Sequence, residues 1–595
     1  MAVYKRAGVY INELSSYTAP IADVGSANAA GAVVAAFPQG PSAVTKVSSW
    51  YDFKKLFGDL NTAYPATYSV NQFFNNGGTD LYVRRILHTT DATAANNATA
   101  AQFVVQNTLG TPTTLFTFQA KNLGKDGNQL KIVLSKSATI GWTSSYKPDG
   151  VTASQYTGAY DIAIYRTLNG VDTLLEQFFG VFLSTQIAGE DIKLSPDYAP
   201  TVLNYGSNFV TITGLSPVLG TVAGSATVAT EAAVGTYSAS QASGYTAAVG
   251  NTPYAYSDWV GGTYTGSTSL TWDFGSGGTY SSKNTIISEF LPVNQPLVFF
   301  FPDLIARVGA SSAWDSNVAN VYNKYIDFAT NGSGNQTGVA LKHFVIVETG
   351  YTTANAGSSS AAVTSALTAA TAITASAQAA VYFPSIYIRD VAGNSGSSIR
   401  LMGPSGAVAG LYLKTDQTVG PWKSPAGLTT KIVDAVALEH SFTNDELDSL
   451  NVGNLTGNAY YPVNAIRSLP GAGVVVMGAR TTKQDGTANR YVAMRRSLTY
   501  IEKSLNDLSL FALFESNDEI LWSRLKTVLG NFLNNYRNQG GLRGEKADDA
   551  FFIKIDTDNN TPATIAAGEV HIEVGVALEY PAEFIVINLS QKTAI

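Results

Sequence analysis

The residues best suited to chemistry at neutral pH, the four histidines, are scattered along the chain. His88, His343, His440 and His571 lie far apart, and no two have the His-x-x-x-His spacing that places metal ligands on one helix face. The serine-nucleophile turn Gly-x-Ser-x-Gly and the phosphate loop Gly-x-x-x-x-Gly-Lys-Ser/Thr are missing from the sequence. We interpret the histidines as structural or surface residues, and we expect no catalytic residue, no cofactor and no metal.

One acidic segment approaches a metal-binding pattern without completing it. Asp556, Asp558 and Asn560 alternate like the opening of a calcium-binding loop. That loop needs glycine at its sixth position and glutamate at its twelfth, where this chain has Thr561 and Ala567. The pattern therefore favours a polar turn between two strands.

A basic cluster is the most distinctive charged feature. It comprises Arg490, Arg495, Arg496 and Lys503. On a helix, Arg496 and Lys503 would share one face, with Arg495 beside it. Such a face is either solvated or in contact with an acidic partner, and both readings stay open at this point.

Composition restricts the class of protein. Only 14% of the 595 residues are charged, against about 25% in typical soluble proteins. The 37 basic and 44 acidic residues give a net charge of −7, so we expect no nucleic-acid binding. Cysteine is lacking, which excludes disulfides and thiolate sites. We find neither a signal peptide nor an apolar run long enough to span a bilayer, and we expect assembly in the cytoplasm without membrane insertion.

Strand and helix patterns divide the chain into six segments. They predict an N-terminal arm and linker, a first core part, an inserted β-rich domain, a second α/β core part, a C-terminal domain and a C-terminal strand arm, over residues 1–30, 31–100, 101–295, 296–400, 401–582 and 583–595. Alternating strands and a helix over 297–301, 316–330, 342–348 and 380–388 favour a largely parallel sheet. The predicted fold class is multidomain, α+β or layered α/β, with extended terminal arms.

Three further local patterns lie near the end of the chain. Ser516 and Glu519 have the spacing of a capping box, which predicts that a helix starts there and runs to Gly540. Residues 570–578 alternate between apolar and other residues, which indicates a half-buried strand. Residues 584–589 are almost continuously apolar, and such a strand needs partners along its edges.

A series of motifs, taken in order, resembles the contractile bacteriophage tail sheath proteins. Ala7–Glu13 resembles the family's PGVYI-E opening, and Pro404–Gly410 followed by Trp422–Ala426 resembles its PPSG-VAG and W-APA blocks. Further blocks follow in the family's order at Asn464–Arg467, Gly478–Thr481, Arg495-Arg496, Tyr500–Glu502, Phe514–Asp518, Leu521-Trp522 and Pro581–Ile585. The likeness covers about residues 7–87 and 380–590, and it is only loose within the 101–290 region.

The resemblance implies a structural protein rather than an enzyme. It implies a helical or stacked-ring homo-oligomer that polymerises around an inner tail tube, binds baseplate and tail terminator proteins, and contracts to drive the tube through the host envelope. Neighbouring subunits would exchange strands. The donated arms would include Val9, Tyr10, Ile11, Phe584, Ile585, Val586, Ile587 and Leu589, and the receiving strands Phe551, Ile553, Ile572, Val574 and Val576.

Two expectations about position accompany this reading. The C-terminal domain would face the tube through helix 494–505 or helix 519–537, with Arg495, Arg496 and Lys503 as the contact, and the 101–295 insertion would lie outward. Close alternatives are the sheath of a phage-like contractile injection particle or an R-type bacteriocin. Alternatives from other classes are a hydrolase on the 296–390 region and a β-rich adhesin on the insertion.

Overall fold

The computed structural model describes most of the chain. The described residues are 29–87, 99–106, 114–122, 125–136, 159–168, 170–183, 186–187, 190–191, 196–214, 235–237, 245–246, 286–308, 314–331, 341–349, 359–391, 399–452, 461–483 and 488–583. Val9, Tyr10 and Ile11, and the apolar segment that starts at Phe584 and includes Ile585, Val586, Ile587 and Leu589, lie outside them. Their assignment as subunit-linking arms stays a prediction.

Helices occur throughout the described ranges. They are α1 (Trp50–Phe57), α2 (Ala66–Asn75), α3 (Leu304–Val308), α4 (Ser316–Asn331), α5 (Ser359–Thr371), α6 (Ser405–Thr418), α7 (Asn444–Val452), α8 (Val492–Ser509), α9 (Glu519–Asn538), α10 (Ala547–Ala550) and α11 (Pro562–Ala566). Within these ranges, no helix combines the length and the apolar character needed to cross a bilayer.

Strands form several separate sheets. The strands outside the insertion are β1 (Ala30–Ala35), β2 (Thr45–Val47), β3 (Leu81–Arg85), β14 (Leu297–Phe300), β15 (Phe344–Glu348), β16 (Ala379–Phe383), β17 (Ile386–Arg389), β18 (Ile399–Met402), β19 (Ala435–Leu438), β20 (Val463–Leu469), β21 (Gly473–Val476), β22 (Phe551–Lys554) and β23 (Glu573–Val576). Those of the insertion are β4 (Gln102–Gln106), β5 (Thr114–Ala120), β6 (Leu130–Lys136), β7 (Ala159–Leu168), β8 (Val171–Phe182), β9 (Gln186–Ile187), β10 (Glu190–Asp191), β11 (Val210–Thr213), β12 (Gly235–Tyr237) and β13 (Tyr245–Thr246).

An eight-stranded sheet forms the core, in the order β2-β3-β1-β14-β15-β16-β20-β21. The six strands from β3 to β20 are parallel, and β2 and β21 add antiparallel edges. Helices α1, α2 and α6 pack on one face, and α4, α5 and α7 pack on the other. β14 and β15 are buried along their whole length because a parallel sheet between two helical layers is covered on both faces.

The chain combines helices with several separate β-sheets, which agrees with the predicted mixed fold class. The central sheet nevertheless continues past residue 400, because β20 pairs with β16 and helix α6 packs on the same sheet. The central sheet therefore extends across the boundary predicted at residue 400. The strand expected over 380–388 is two strands, since Pro384 lies between them and offers no N–H to a ladder.

The described part of the insertion has its own core. Two four-stranded antiparallel sheets, in the orders β11-β5-β4-β13 and β12-β6-β7-β8, enclose it. Its buried side chains include Phe103, Phe116, Phe118 and Ile162. The chain leaves the central sheet after β3 and returns to it at β14, so this region is inserted between two strands that both pair with β1.

Helix termini show where local sequence signals succeed and fail. The Ser49 hydroxyl accepts a hydrogen bond from the Asp52 amide at 3.1 Å, and Gly58 ends α1 at φ 99°; serine and glycine are the residue types that local capping rules favour at these positions. The capping box at Ser516 is wrong. Asp518 caps α9 instead, because its backbone is extended and its carboxylate accepts from the amides of Ile520 at 3.0 Å and Leu521 at 2.9 Å.

Two glycines allow α6 to approach α2 closely. A Cβ atom added at Gly406 would overlap the carbonyl oxygen of Ser69, and one added at Gly410 would overlap the carbonyl oxygen of Phe73. The four-residue spacing places both glycines on the same face of α6. The Gly-x-x-x-Gly pattern inside the Pro404–Gly410 motif is therefore a packing requirement of the core.

We expect Gly410→Ala to destabilise the chain by about 1–3 kcal/mol, because overpacking outweighs the better helix propensity of alanine. Gly530→Ala, inside α9, is the matched control. Its added Cβ would meet Ile553 Cδ1 at an ordinary 3.8 Å, so this change should stabilise by about 0.5–1 kcal/mol. Urea denaturation measures both changes. Equal effects from the two substitutions would contradict the packing role of Gly410.

Candidate assembly surface

The C-terminal subdomain, residues 488–583, contains a small sheet made of β22 and β23 alone. The strands are antiparallel, with Phe551 opposite Val576 and Ile553 opposite Val574. Four of the predicted receiving residues therefore lie in one sheet, and the fifth, Ile572, directly precedes β23. A two-stranded sheet is marginally stable in water unless something packs on it or adds to it.

Helix α9 covers one face of this small sheet. Leu521, Trp522 and Leu525 pack with Ile553 and Ile555, and Val570, Ile572 and Ile565 border the same cluster. In the second half of α9, Tyr536 and Leu533 pack with residues of α8 and β23. Helix α9 thus covers one face of the sheet with its apolar side. It does not cover the strand edges.

Both edges of the small sheet are open among the described residues. The amide of Ala577 donates to the carbonyl of Ala550 at 2.9 Å. Because hydrogen-bonded and non-hydrogen-bonded pairs alternate in an antiparallel ladder, Ile553 and Val574 direct their backbone N–H and C=O groups away from the partner strand. No third strand joins either edge within the described part of the chain, apart from a single bridge between Leu542 and Leu578. Unpaired edges of this kind are templates for another strand.

The predicted tube contact through the basic cluster is not supported by the structure. Arg495, Arg496 and Lys503 are only 2%, 6% and 4% exposed. They lie on the side of α8 that packs against the rest of the chain, where each forms an ion pair within the same chain. These side chains are unavailable to a partner surface because the fold buries their charges and pairs them.

The Arg496 pair joins the C-terminal subdomain to the central sheet. Its guanidinium bonds to both oxygens of Asp416 at the end of α6, with 2.8 Å between Nη1 and Oδ1, and lies 4.7 Å from the ring centre of Tyr412. Burial raises the pKa of Asp416 even though Arg496 opposes that shift. A second bridge links Lys342, before β15, to Glu502 of α8 at 3.3 Å. Together these contacts form the joint between subdomain and core.

An exposed apolar corner lies where α8 passes into α9. The side chains of Phe514 and Ile520 are 95% and 71% exposed, and Leu510 and Phe511 are also on the surface. Phe514 has φ 65°, a left-handed conformation that bulky residues rarely adopt. The sequence carries little signal for this exposed corner, because an apolar residue beside a helix start ordinarily predicts burial. Phe514 is marked only by its place in the Phe514–Asp518 motif.

The segment after β22 forms a polar turn. The Asp556 carboxylate accepts a hydrogen bond from the Asp558 amide at 2.9 Å. Asn560, which is buried, bonds to the backbone of His571 through both its carbonyl and its amide group. These bonds connect the end of β22 to the approach of β23. Among the described residues, no group of three His, Asp or Glu side chains is placed to hold a metal ion.

We expect Arg496→Ala to destabilise the chain by about 3–5 kcal/mol, because it leaves Asp416 buried and unpaired. Guanidinium denaturation followed by the fluorescence of Trp422 and Trp522 measures the loss. Replacing both partners, Arg496→Met with Asp416→Asn, should recover most of it, since no unpaired charge then remains. Lys526→Ala on the exposed side of α9 is the control and should change stability by less than about 0.5 kcal/mol. A tolerated Arg496→Ala would contradict the structural role of the joint.

Comparisons with known proteins relate part of this chain to tail sheath proteins. No family model matches the chain. It is 28% identical over 186 residues to the tail sheath protein of Vibrio phage KVP40, covering 31% of this chain and 26% of that protein. It is 24% identical over 163 residues to the tail sheath protein of Enterobacteria phage T4, covering 27% of this chain and 23% of that one. The matched segments thus span about a quarter of these curated relatives.

The fold is also shared with a solved structure. The sheath tail protein from Listeria innocua superposes with a TM-score of 0.51 at 13% identity, over 90% of both chains. At that identity the likeness concerns the fold alone. The resemblance inferred from the motifs is confirmed by these sequence matches: over about a third of its length, the chain is similar to the tail sheath proteins of phages.

Proposed function

We propose that the chain is the structural subunit of a contractile tail sheath. In this role it polymerises around an inner tail tube and contracts to drive the tube through the host envelope. The proposal rests on the sequence relationship to curated tail sheath proteins, and the open-edged sheet of β22 and β23 is the structural observation that supports it. The role requires no catalytic residue.

The proposed linkage between subunits is strand exchange. The β22–β23 sheet offers two unpaired edges among the described residues, and its outward-directed backbone groups lie at Ile553 and Val574. The segments 9–11 and 584–589 are apolar and favour extended structure. An arm from a neighbouring subunit that paired with an open edge would satisfy these backbone groups and extend the marginal two-stranded sheet.

We expect the full chain to form striated hollow tubes in negative-stain electron microscopy. A variant lacking residues 1–14 and 583–595 should remain folded but lose the tubes, because the donated strands are missing. A variant lacking only residues 590–595 retains the apolar segment 584–589 and should assemble like the full chain. Tubes from the doubly truncated chain would contradict the arm mechanism while leaving the sheath assignment intact.

The surface that meets the tube requires a new candidate, since the basic cluster is buried. We place this contact at the outward side of α9 and the loop before it. Phe514, Ile520 and Phe511 form an apolar surface there, and the guanidinium of Arg524 lies 5.3 Å from the ring centre of Phe511. Aromatic and arginine side chains are enriched at protein interfaces relative to the rest of the protein surface.

We expect Phe514→Ser with Ile520→Ser to reduce co-sedimentation of the sheath with tail tubes at least about tenfold, which corresponds to about 1.4 kcal/mol. The melting temperature should change little because both side chains are exposed. Tyr51→Ser on α1, which is 74% exposed, is the matched control and should bind tubes like the unchanged chain. Unchanged tube binding in the double variant would exclude this corner as the contact.

The inserted region would lie outward from the tube axis. It has its own core and enters the chain between two strands of the central sheet, so its size can vary without changing that sheet. The contraction step would require two arrangements of the same subunits, of which the extended one has the higher free energy. Arms that link subunits while their bodies move would preserve the lattice between these arrangements.

A further inference from the structure

A carboxyl group is enclosed at the carboxyl end of the central sheet. Glu348, the last residue of β15, is 3% exposed. Its Oε2 accepts a hydrogen bond from the Ser405 amide at 3.3 Å, at the first turn of α6. Its own amide lies 3.4 Å from the hydroxyl of Tyr322 on α4. A Cβ atom at Gly403 would overlap the Glu348 carboxyl, so the side chain rests directly on the backbone that leads into α6.

The ionisable surroundings of Glu348 are acidic or neutral. Asp303, which follows β14, is buried nearby, accepts a hydrogen bond from the Ala36 amide, and adds negative potential. Tyr322 on α4 is fully buried, and Tyr382, opposite Glu348 on β16, bonds to the hydroxyl of Tyr412 instead. Among the described residues, no lysine or arginine forms an ion pair with Glu348. A buried carboxylate without a cation is costly, and the neutral acid avoids that cost.

We propose that Glu348 is a proton-dependent clamp between the central sheet and helix α6. In the folded chain the carboxyl retains its proton in mildly acidic solution and lies between β15, α4 and the start of α6. At higher pH the proton passes to solvent, and a negative charge remains enclosed beside Asp303. The folded chain is then less stable, because the enclosed charge has no cation to pair with it.

The direction of the pH dependence follows from the same surroundings. Burial, together with the negative charge of Asp303, raises the pKa of Glu348 from 4.5 to about 7, although hydrogen bonds from Ser405 oppose the shift. Because the folded chain binds this proton more tightly than the unfolded chain, the contribution to stability is complete below pH 4.5. It is lost as the pH rises through about 7.

The test compares the full chain with Glu348→Gln, which keeps the shape and removes the titration. Infrared difference spectra at pH 6 should show the carbonyl stretch of a protonated, buried carboxyl group in the unchanged chain and not in the variant. The melting temperature of the unchanged chain should fall relative to the variant between pH 5.5 and pH 8.5. Glu579→Gln, at an exposed carboxylate, is the control and should track the unchanged chain at every pH.

Two results would overturn the proposal. One is a protonated-carboxyl band that is the same in Glu348→Gln, because the proton then resides elsewhere. The other is a constant difference in melting temperature across the pH range. If Glu348→Gln does not fold, the unchanged chain alone decides. A protonated-carboxyl band that disappears as pH rises through about 7, with faster amide hydrogen exchange at the start of α6, supports the clamp, and a band absent already at pH 5.5 rejects it.

Discussion

The structure depends on one constraint, which is that every buried backbone N–H and C=O group must find a hydrogen-bond partner. In the core this is met by pairing β1, β14, β15, β16 and β20, which are distant in sequence, as parallel neighbours between two helical layers. In the small sheet of β22 and β23 the same constraint is met on one edge of each strand only. The core is therefore closed within the described chain, whereas the small sheet has the geometry of a surface that another strand can complete.

Buried charged side chains must likewise be paired. The chain has few charged residues, and several of them are enclosed: Arg495, Arg496 and Lys503 are buried and paired, and Arg496 pairs with the Asp416 carboxylate, which is 13% exposed. Such pairs contribute little net stability compared with apolar packing, but they determine which groups must meet, because a mismatch leaves a buried charge. The joint thereby determines how α8 packs against α6. Because α8 and α9 pack with the small sheet, it also determines where that sheet lies on the core.

Local signals in the sequence predicted many elements and few surfaces. Ser49 and Gly58 cap α1 in accordance with local residue preferences, because caps act over a few residues. The start of α9 was misplaced, since Ser516 and Asp518 are both good caps and only the path of the incoming chain selects Asp518. The basic cluster was misread for a similar reason. Helical spacing shows which side chains share a face, but it does not show whether that face is covered.

The sequence by itself determined the resemblance to tail sheath proteins, the alternation of strands and helices, and the apolar character of residues 584–589. It also contained the glycines that let α6 approach α2, although their partners were not readable. Only the tertiary structure decided that the central sheet extends to β21, that Arg496 faces Asp416, and that Phe514 is exposed. The reason is physical: propensity and periodicity act between residues a few positions apart, whereas burial is a property of contacts between segments separated by tens to hundreds of residues.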